Sequence, residues 1–262
     1  MRGIMLLFNV PLLEIQTFFL IFLRIGAMMM AIPLFDSKSL PVLVKSGLAL
    51  AVCVLLFPLV KSAPQAVLHD PVVFGLRIVG EIAIGVIIGL AVKLVFIGIQ
   101  MAGQIAGFQM GFAIANIMDP ATSDQIPILS QFNNLLAVLI FFAINAHYWF
   151  IKAMVESYQV IPIFEFSFSG LIVEQLVALT AGMFIIAIKI GAPVIAVMLL
   201  TNVTFGLLAR TVPQMHIFIV AMPVKIIVGL LFLGFSLPFV VEVLKIIFND
   251  LGESIFVLLR GM

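Results

Sequence analysis

Apolar residues run along this chain in long blocks, cut apart by prolines, glycines and small clusters of charge. Six blocks stand out: about Met5–Leu34, Pro41–Val60, Val72–Ile97, Ile128–Ile151, Leu171–Ala209 and His216–Phe248. An uninterrupted apolar run of roughly 18 residues or more reads as a helix able to cross a bilayer. The pattern therefore predicts an all-α, polytopic membrane-type protein of about six apolar segments. Polar stretches separate the blocks: Asp36–Ser39, a linker with Lys61, Pro64, His69, Asp70 and Pro71, and a connection from Lys152 to Gly170. That last connection carries Glu156, Glu165 and an alternating run of Phe164, Phe166 and Phe168. The fifth block would reach about 58 Å as one helix, against a hydrocarbon core of about 30 Å. Either it kinks at Gly191-Ala192-Pro193 into two helices, or it is one helix that extends beyond the bilayer. The sixth block is also over-long and contains Pro223 and Pro238. No internal repeat or domain boundary is visible, so residues 1–262 read as one domain, with a first half to about residue 125 and a second from 126.

The glycine-rich stretch from Gly98 to Pro127 differs from the rest. On a helix of 3.6 residues per turn, Gly103, Gly107 and Gly111 form one stripe of small residues. Met101, Ile105, Phe108 and Phe112 form an apolar face, and Gln100 and Gln104 stack on a third. Glycines spaced in this way let another backbone approach closely. Each also weakens the helix by about 1 kcal/mol relative to alanine, so the segment should bend or be held by neighbours. It breaks off over Asn116–Pro127, where Asp119-Pro120 marks a turn. A pliable segment ending among apolar helices is a candidate gate or re-entrant loop. Its candidate gating residues are Phe108, Met110, Phe112, Ile114, Ile117 and Met118, with Gly103, Gly107, Gly111, Asp119 and Pro120 as packing and hinge positions. Taken as residues alone, the six apolar ones read first as core or lipid-facing side chains. The alternative is a ring of Met and Phe that closes a pore by dewetting and deforms around a passing chain. Gln100, Gln104 and Gln109 read as interhelical hydrogen bonders or as pore-lining residues, and Asn133, Asn134 and Asn145 as interhelical hydrogen bonders.

Composition sharpens the class. Of 262 residues, 64% are hydrophobic and 10% charged, and mean hydropathy is +1.35, where a soluble domain carries about 25% charged residues. A net charge of +1 recommends neither nucleic acid nor a strongly acidic partner. The single cysteine, Cys53, lies in an apolar run and reads as a small buried hydrophobe. No secretory signal is expected, because the first apolar run outlasts an h-region and contains Glu14 and Arg24.

Charge inside the blocks is the anomaly. Arg24, Lys45, Arg77, Glu81, Lys93, Glu174, Lys189, Lys225 and Glu242 all lie in apolar sequence. A charge at mid-bilayer costs at least about 2.5–3.5 kcal/mol. Arg77 and Glu81 are one turn apart and suited to pair within a helix. Lys93, Lys189 and Lys225 have no local partner and call for one on another helix or subunit. His69, His147 and His216 lack metal-ligand spacing, and no nucleophile elbow, phosphate loop or dinucleotide fingerprint occurs. No catalytic residue, metal or cofactor is therefore predicted. His147-Tyr148-Trp149 reads as an aromatic belt at a membrane interface. Glycines 75, 80, 85 and 89 read as helix packing.

The second informative run is ARTVPQMHIFIVAMPVKI, residues 209–226. Arg210 and Lys225 bracket it. Pro213 is predicted to begin a helix with Thr211 as its N-cap, and Pro223 to break or kink that helix. This run resembles the most recognisable signature of the FliR family of flagellar type III secretion export-gate proteins. Ile32 to Pro58, IPLF…PVLVKSGLALAVCVLLFP, resembles the family's early segment, and the likeness covers essentially the whole chain. The glycine-rich helix ending in Asp119-Pro120 stands where the family has its pore-plugging loop.

The resemblance implies one copy of this subunit joined with several copies of FliP and FliQ in a right-handed helical gate. It implies bent helical hairpins packed on neighbours, with much of the assembly lifted out of the bilayer plane. It adds FlhB as a partner at the cytoplasmic entrance, unfolded export substrates as cargo, and the bacterial inner membrane at the flagellar basal body as the location. Arg77, Glu81, Lys93, Lys189, Arg210, Pro213, Pro223 and Lys225 then fall at subunit interfaces or intramembrane charge sites. The competing reading is a secondary transporter, with Arg77, Glu81, Lys93 and Lys189 around a midplane site. A membrane-embedded enzyme is disfavoured, since no acid–base or metal constellation is present.

Overall fold

A computed structural model describes residues 12–32, 41–60, 70–112, 127–163, 170–212 and 217–262. Among these residues there are seven helices and no strand: α1 (Leu12–Ala31), α2 (Val42–Val60), α3 (Pro71–Met110), α4 (Ile128–Ala143), α5 (Ala146–Val160), α6 (Gly170–Thr211) and α7 (Ile217–Gly261). The all-α, membrane-type fold read from the blocks is the observed one. Five helices, α1, α2, α3, α6 and α7, are long and apolar enough to cross a membrane, and α4 with α5 makes a sixth crossing if taken as one.

The long blocks are long helices. α6 runs unbroken through Pro193 for 42 residues, about 63 Å, so this block is one helix and not two. α7 runs for 45 residues through both Pro223 and Pro238. Of the break or kink expected at Pro223, the break does not occur. A proline removes one ladder bond, and in so long an apolar helix the turns on either side still close. Thr211 is not an N-cap either. It closes α6, its hydroxyl donating back to the Leu207 and Leu208 carbonyls at 3.2 Å each. Pro213 lies outside the described residues, and α7 starts beyond it at Ile217.

The fourth block is divided. α4 ends where the Ile144 amide bonds the Ile140 carbonyl at 2.9 Å and the Asn145 amide bonds that of Phe142 at 3.0 Å. Asn145 then takes φ 57°, the left-handed conformation that asparagine tolerates better than most residues. Its role is to turn the backbone, not to bond across helices.

The chain forms two compact units. One comprises Met1–Lys93, His147–Val177 and Leu251–Met262, the other Leu94–Ala146 and Ala178–Asp250. In the first, Leu20, Ile21, Ile25 and Met28 of α1 are fully buried, as are Ile84 and Ile88 of α3. Here α1 and α3 touch through glycine: a Cβ on Gly85 would fall 2.6 Å from the Arg24 carbonyl oxygen, and one on Gly89 would strike Ala31. The core of the second includes a ring cluster of Phe96, Phe141 and Phe248, with centroids 5.3–5.9 Å apart.

Candidate functional site

The end of α3 and the start of α4 meet at Gly103. A Cβ there would stand 2.5 Å from the Leu129 carbonyl oxygen and 2.7 Å from the Ser130 nitrogen, so the α4 backbone rests directly on α3. Polar bonds flank the contact. Ser130 Oγ donates to the Gln100 carbonyl at 2.8 Å, Gln100 Nε2 to Asn134 Oδ1 at 2.9 Å, and Asn133 Nδ2 to the Ile99 carbonyl at 3.5 Å. These are the interhelical bonds expected of Gln100, Asn133 and Asn134; Gln104 is instead exposed.

The three glycines of the stripe are not equivalent. Gly103 admits a backbone. At Gly107 a Cβ would meet Leu129 only at an ordinary 3.7 Å. Gly111 stops the helix. Its φ is +92°, its amide bonds the Phe108 carbonyl at 3.1 Å, and the Phe112 amide reaches the Gly107 carbonyl at 3.1 Å. That paired closure is the Schellman motif, in which a left-handed glycine satisfies the last carbonyls of a helix.

Met110 is fully buried just before this stop, in a cluster with Ala106, Leu129, Val194 and Met198. It lies over Gly229 of α7, where a Cβ would come 2.5 Å from Met110 Cε. Phe112 packs half-buried on the same cluster, whereas Phe108 is 53% exposed. Of the gating candidates, then, Met110 fills core, Phe112 leans on it and Phe108 is open. Ile114, Ile117, Met118, Asp119 and Pro120 lie outside the described residues. Sequence reasoning missed Gly229, which reads in isolation as one more small residue in an apolar helix.

In the other unit the charges organise the packing. Arg24 of α1 is fully buried, and its Nε donates to Oε2 of the buried Glu81 on α3 at 2.5 Å. Its Nη1 donates to the Ser157 and Ile161 carbonyls, 3.1 Å each, at the end of α5. The guanidinium carbon stands 4.3 Å from the Tyr158 ring centroid, and the Tyr158 hydroxyl donates to the Ile21 carbonyl at 3.2 Å. The last carbonyls of a helix have no partner within it and carry its negative end. Arg24 thus caps α5 from a different helix while neutralising Glu81. A buried charge is tolerable only when paired and hydrogen-bonded in this way.

The partner that the structure gives Glu81 lies on another helix, Arg24 of α1, while Arg77, one turn before Glu81, is half-buried. A signal for the true pair was present. Arg24 shares a helical face with Leu20, Ile21, Ile25 and Met28, and Glu81 is the only acid in α3. The remaining expected interface charges are spread out. Lys93 and Lys225 are half-buried, Lys189 and Arg210 exposed, and Pro223 exposed. Glu81, the acid a midplane transport site would use, is already engaged. Among the described residues no group of His, Cys, Asp and Glu is placed to hold a metal.

The family model described as bacterial export proteins, family 1, matches residues 15–251. Flagellar biosynthetic protein FliR of Bacillus subtilis (strain 168) is 32% identical over 236 residues, 88% of this chain and 90% of its own length. The FliR of Pectobacterium carotovorum subsp. carotovorum is 31% identical over 91% of both chains, and that of Escherichia coli (strain K12) 30% identical over 87% of both. A match over residues 15–251, nearly the whole length, means that the chain belongs to the bacterial export proteins, family 1.

Proposed function

We propose that this chain is a structural and gating subunit, not an enzyme, of the flagellar type III protein export gate. In this reading it joins several copies of FliP and FliQ in the inner membrane at the flagellar basal body. FlhB lies at the cytoplasmic entrance and unfolded export substrates are the cargo. The observation that carries it is the near full-length likeness to proteins named for flagellar biosynthesis. The end of α3 supports the gating part: a 40-residue apolar helix is closed by a left-handed glycine immediately before the stretch holding Ile114, Ile117, Met118, Asp119 and Pro120. Met110, locked under Gly229, serves as the anchor. Phe108 and the apolar residues after Phe112 are the obstruction, soft enough to yield because methionine has no preferred shape. The half-buried and exposed basic residues Arg77, Lys93, Lys189, Arg210 and Lys225, with Pro213 and Pro223, are where partner subunits contact the chain. Glu81 leaves that set, since Arg24 holds it.

The test replaces residues 111–118 with small polar residues while keeping Met110. In cells carrying the export partners, ion leakage across the membrane should rise and export should persist or increase. Unchanged conductance together with unchanged export would refute the obstruction. Normal flagellar assembly in a strain lacking this gene would refute the export role altogether.

A further inference from the structure

Two stretches stand apart in the sequence, the glycine-rich run that ends α3 and the run from Ala209 to Ile226, and the gating residues come from the first alone. The structure joins them. A Cβ on Gly111 would stand 3.3 Å from Met222 Cε of α7, and among the described residues no other atom from outside the turn comes within 4 Å of that position. Two turns further along α7, Gly229 receives Met110, while Val228 and Leu233 pack on the cluster around it. Met222, Gly229 and Leu233 are spaced by seven and four, so one face of α7 carries all three. α7 therefore holds the end of α3 twice, once before the left-handed glycine and once on it. The two contacts differ. Met110 is fully buried, whereas Met222 is half-buried and covers Gly111 with a single methyl. Pro223 follows directly, so the turn carrying Met222 lacks the amide that would bond the Ile219 carbonyl. α7 begins at Ile217, which leaves Met222 on a short first stretch of helix ahead of this gap.

We infer that Met222 is a positioning residue for the end of α3: its methyl holds the left-handed turn at Gly111 and so fixes the direction in which the chain leaves the helix. Gly111 has no side chain to wedge against its neighbours, so its φ of +92° depends on the two closing bonds and on what lies against it. Those bonds, from the Gly111 amide to the Phe108 carbonyl and from the Phe112 amide to the Gly107 carbonyl, are the last of the helix. A helix end is where local opening starts. The methyl seated on the glycine takes up the space into which this turn would open. Methionine suits the task, since its unbranched chain follows small shifts without losing contact. The gap at Pro223 lets the short stretch ahead of it move, and a displacement there is passed through Met222 to the turn. The effect on export rests on the gating reading; the hold on the turn does not.

Amide hydrogen exchange on the full chain, purified with whatever partners accompany it, tests this. Met222→Ala should speed exchange of the Gly111 and Phe112 amides about ten-fold, with residues 94–105 of the same helix unchanged. Met222→Leu keeps the bulk but withdraws the terminal methyl, and should give a smaller increase at the same two amides even if the alanine variant fails to fold. Val228→Ala thins the cluster without touching Gly111, and should spread its effect along α3. Unchanged exchange at the turn in the Met222 variants would overturn the proposal, as would an increase spread along α3 like that of Val228→Ala. Ion leakage through the assembled gate is read alongside. A rise with Met222→Ala ties the turn to gating. Faster exchange at the turn without leakage upholds the role of Met222 and counts against the obstruction, so the two readings fail separately.

Discussion

The two ends of α3 are fixed by opposite means. Near its start, Glu81 is bound by an arginine whose remaining bonds reach the end of α5. Near its finish, α3 is fitted by omission: Gly103 leaves room for a backbone, Gly229 leaves room for Met110, and Gly111 turns the chain aside. Charge fixes direction and distance, so the first junction has one good arrangement and poor alternatives. Glycine and methionine specify shape only loosely, so the second can shift by small steps at modest cost. A gate needs both, a fixed frame and a yielding edge.

The comparison breaks first at the charge pair. Arg24→Met or Glu81→Gln alone leaves a buried charge unanswered and should cost about 3–5 kcal/mol. In thermal unfolding of the detergent-solubilised protein this appears as a large drop in Tm or a loss of folded yield. Arg24→Met combined with Glu81→Leu should recover a substantial part of it. A double variant as damaged as the sum of the singles would mean that the two residues act separately.

The glycine end should respond less, and unequally along its stripe. Gly103→Ala forces Leu129 and Ser130 backbone away and should destabilise by about 1–3 kcal/mol. Gly107→Ala meets only ordinary contact and should stabilise by up to about 1 kcal/mol through helix propensity. Equal effects at the two positions would return the stripe to a single packing surface. Between these lies Gly111→Ala, where the left-handed backbone costs about 1–2 kcal/mol, with Gly111→Asn milder. Here the informative readout is the ion leak set against Tm, since a hinge moves the first more than the second.

Much of this molecule is written in its linear pattern. Apolar blocks gave helices because length and hydropathy leave a chain in lipid few other choices. Gln100, Asn133 and Asn134 were recognisable because an amide in an apolar helix must find a partner nearby. The break at Asn145 was not, since one asparagine in an apolar run signals a bond as readily as a turn. Pro193 and Pro223 left the outcome open for a similar reason: local chemistry forbids a hydrogen bond without saying whether the helix carries on. For Arg24 and Glu81 each charge stood out within its own helix, but no local spacing joins residues 57 positions apart. At the end of α3 the stripe of glycines was visible but the different settings of its members were not, because they depend on what faces Gly103 and on the backbone turn at Gly111.

The cap that α1 supplies to α5 also has a consequence for how the polypeptide is made. Synthesis proceeds from the N-terminus, so Arg24 and Glu81 emerge long before Ser157 and Ile161 exist. In that interval the guanidinium has its acid but lacks the two carbonyls, a costly state in apolar surroundings. Chains arrested between residues 81 and 157 are therefore the ones that membrane proteases should clear fastest, and chains extended through residue 161 the first to be spared.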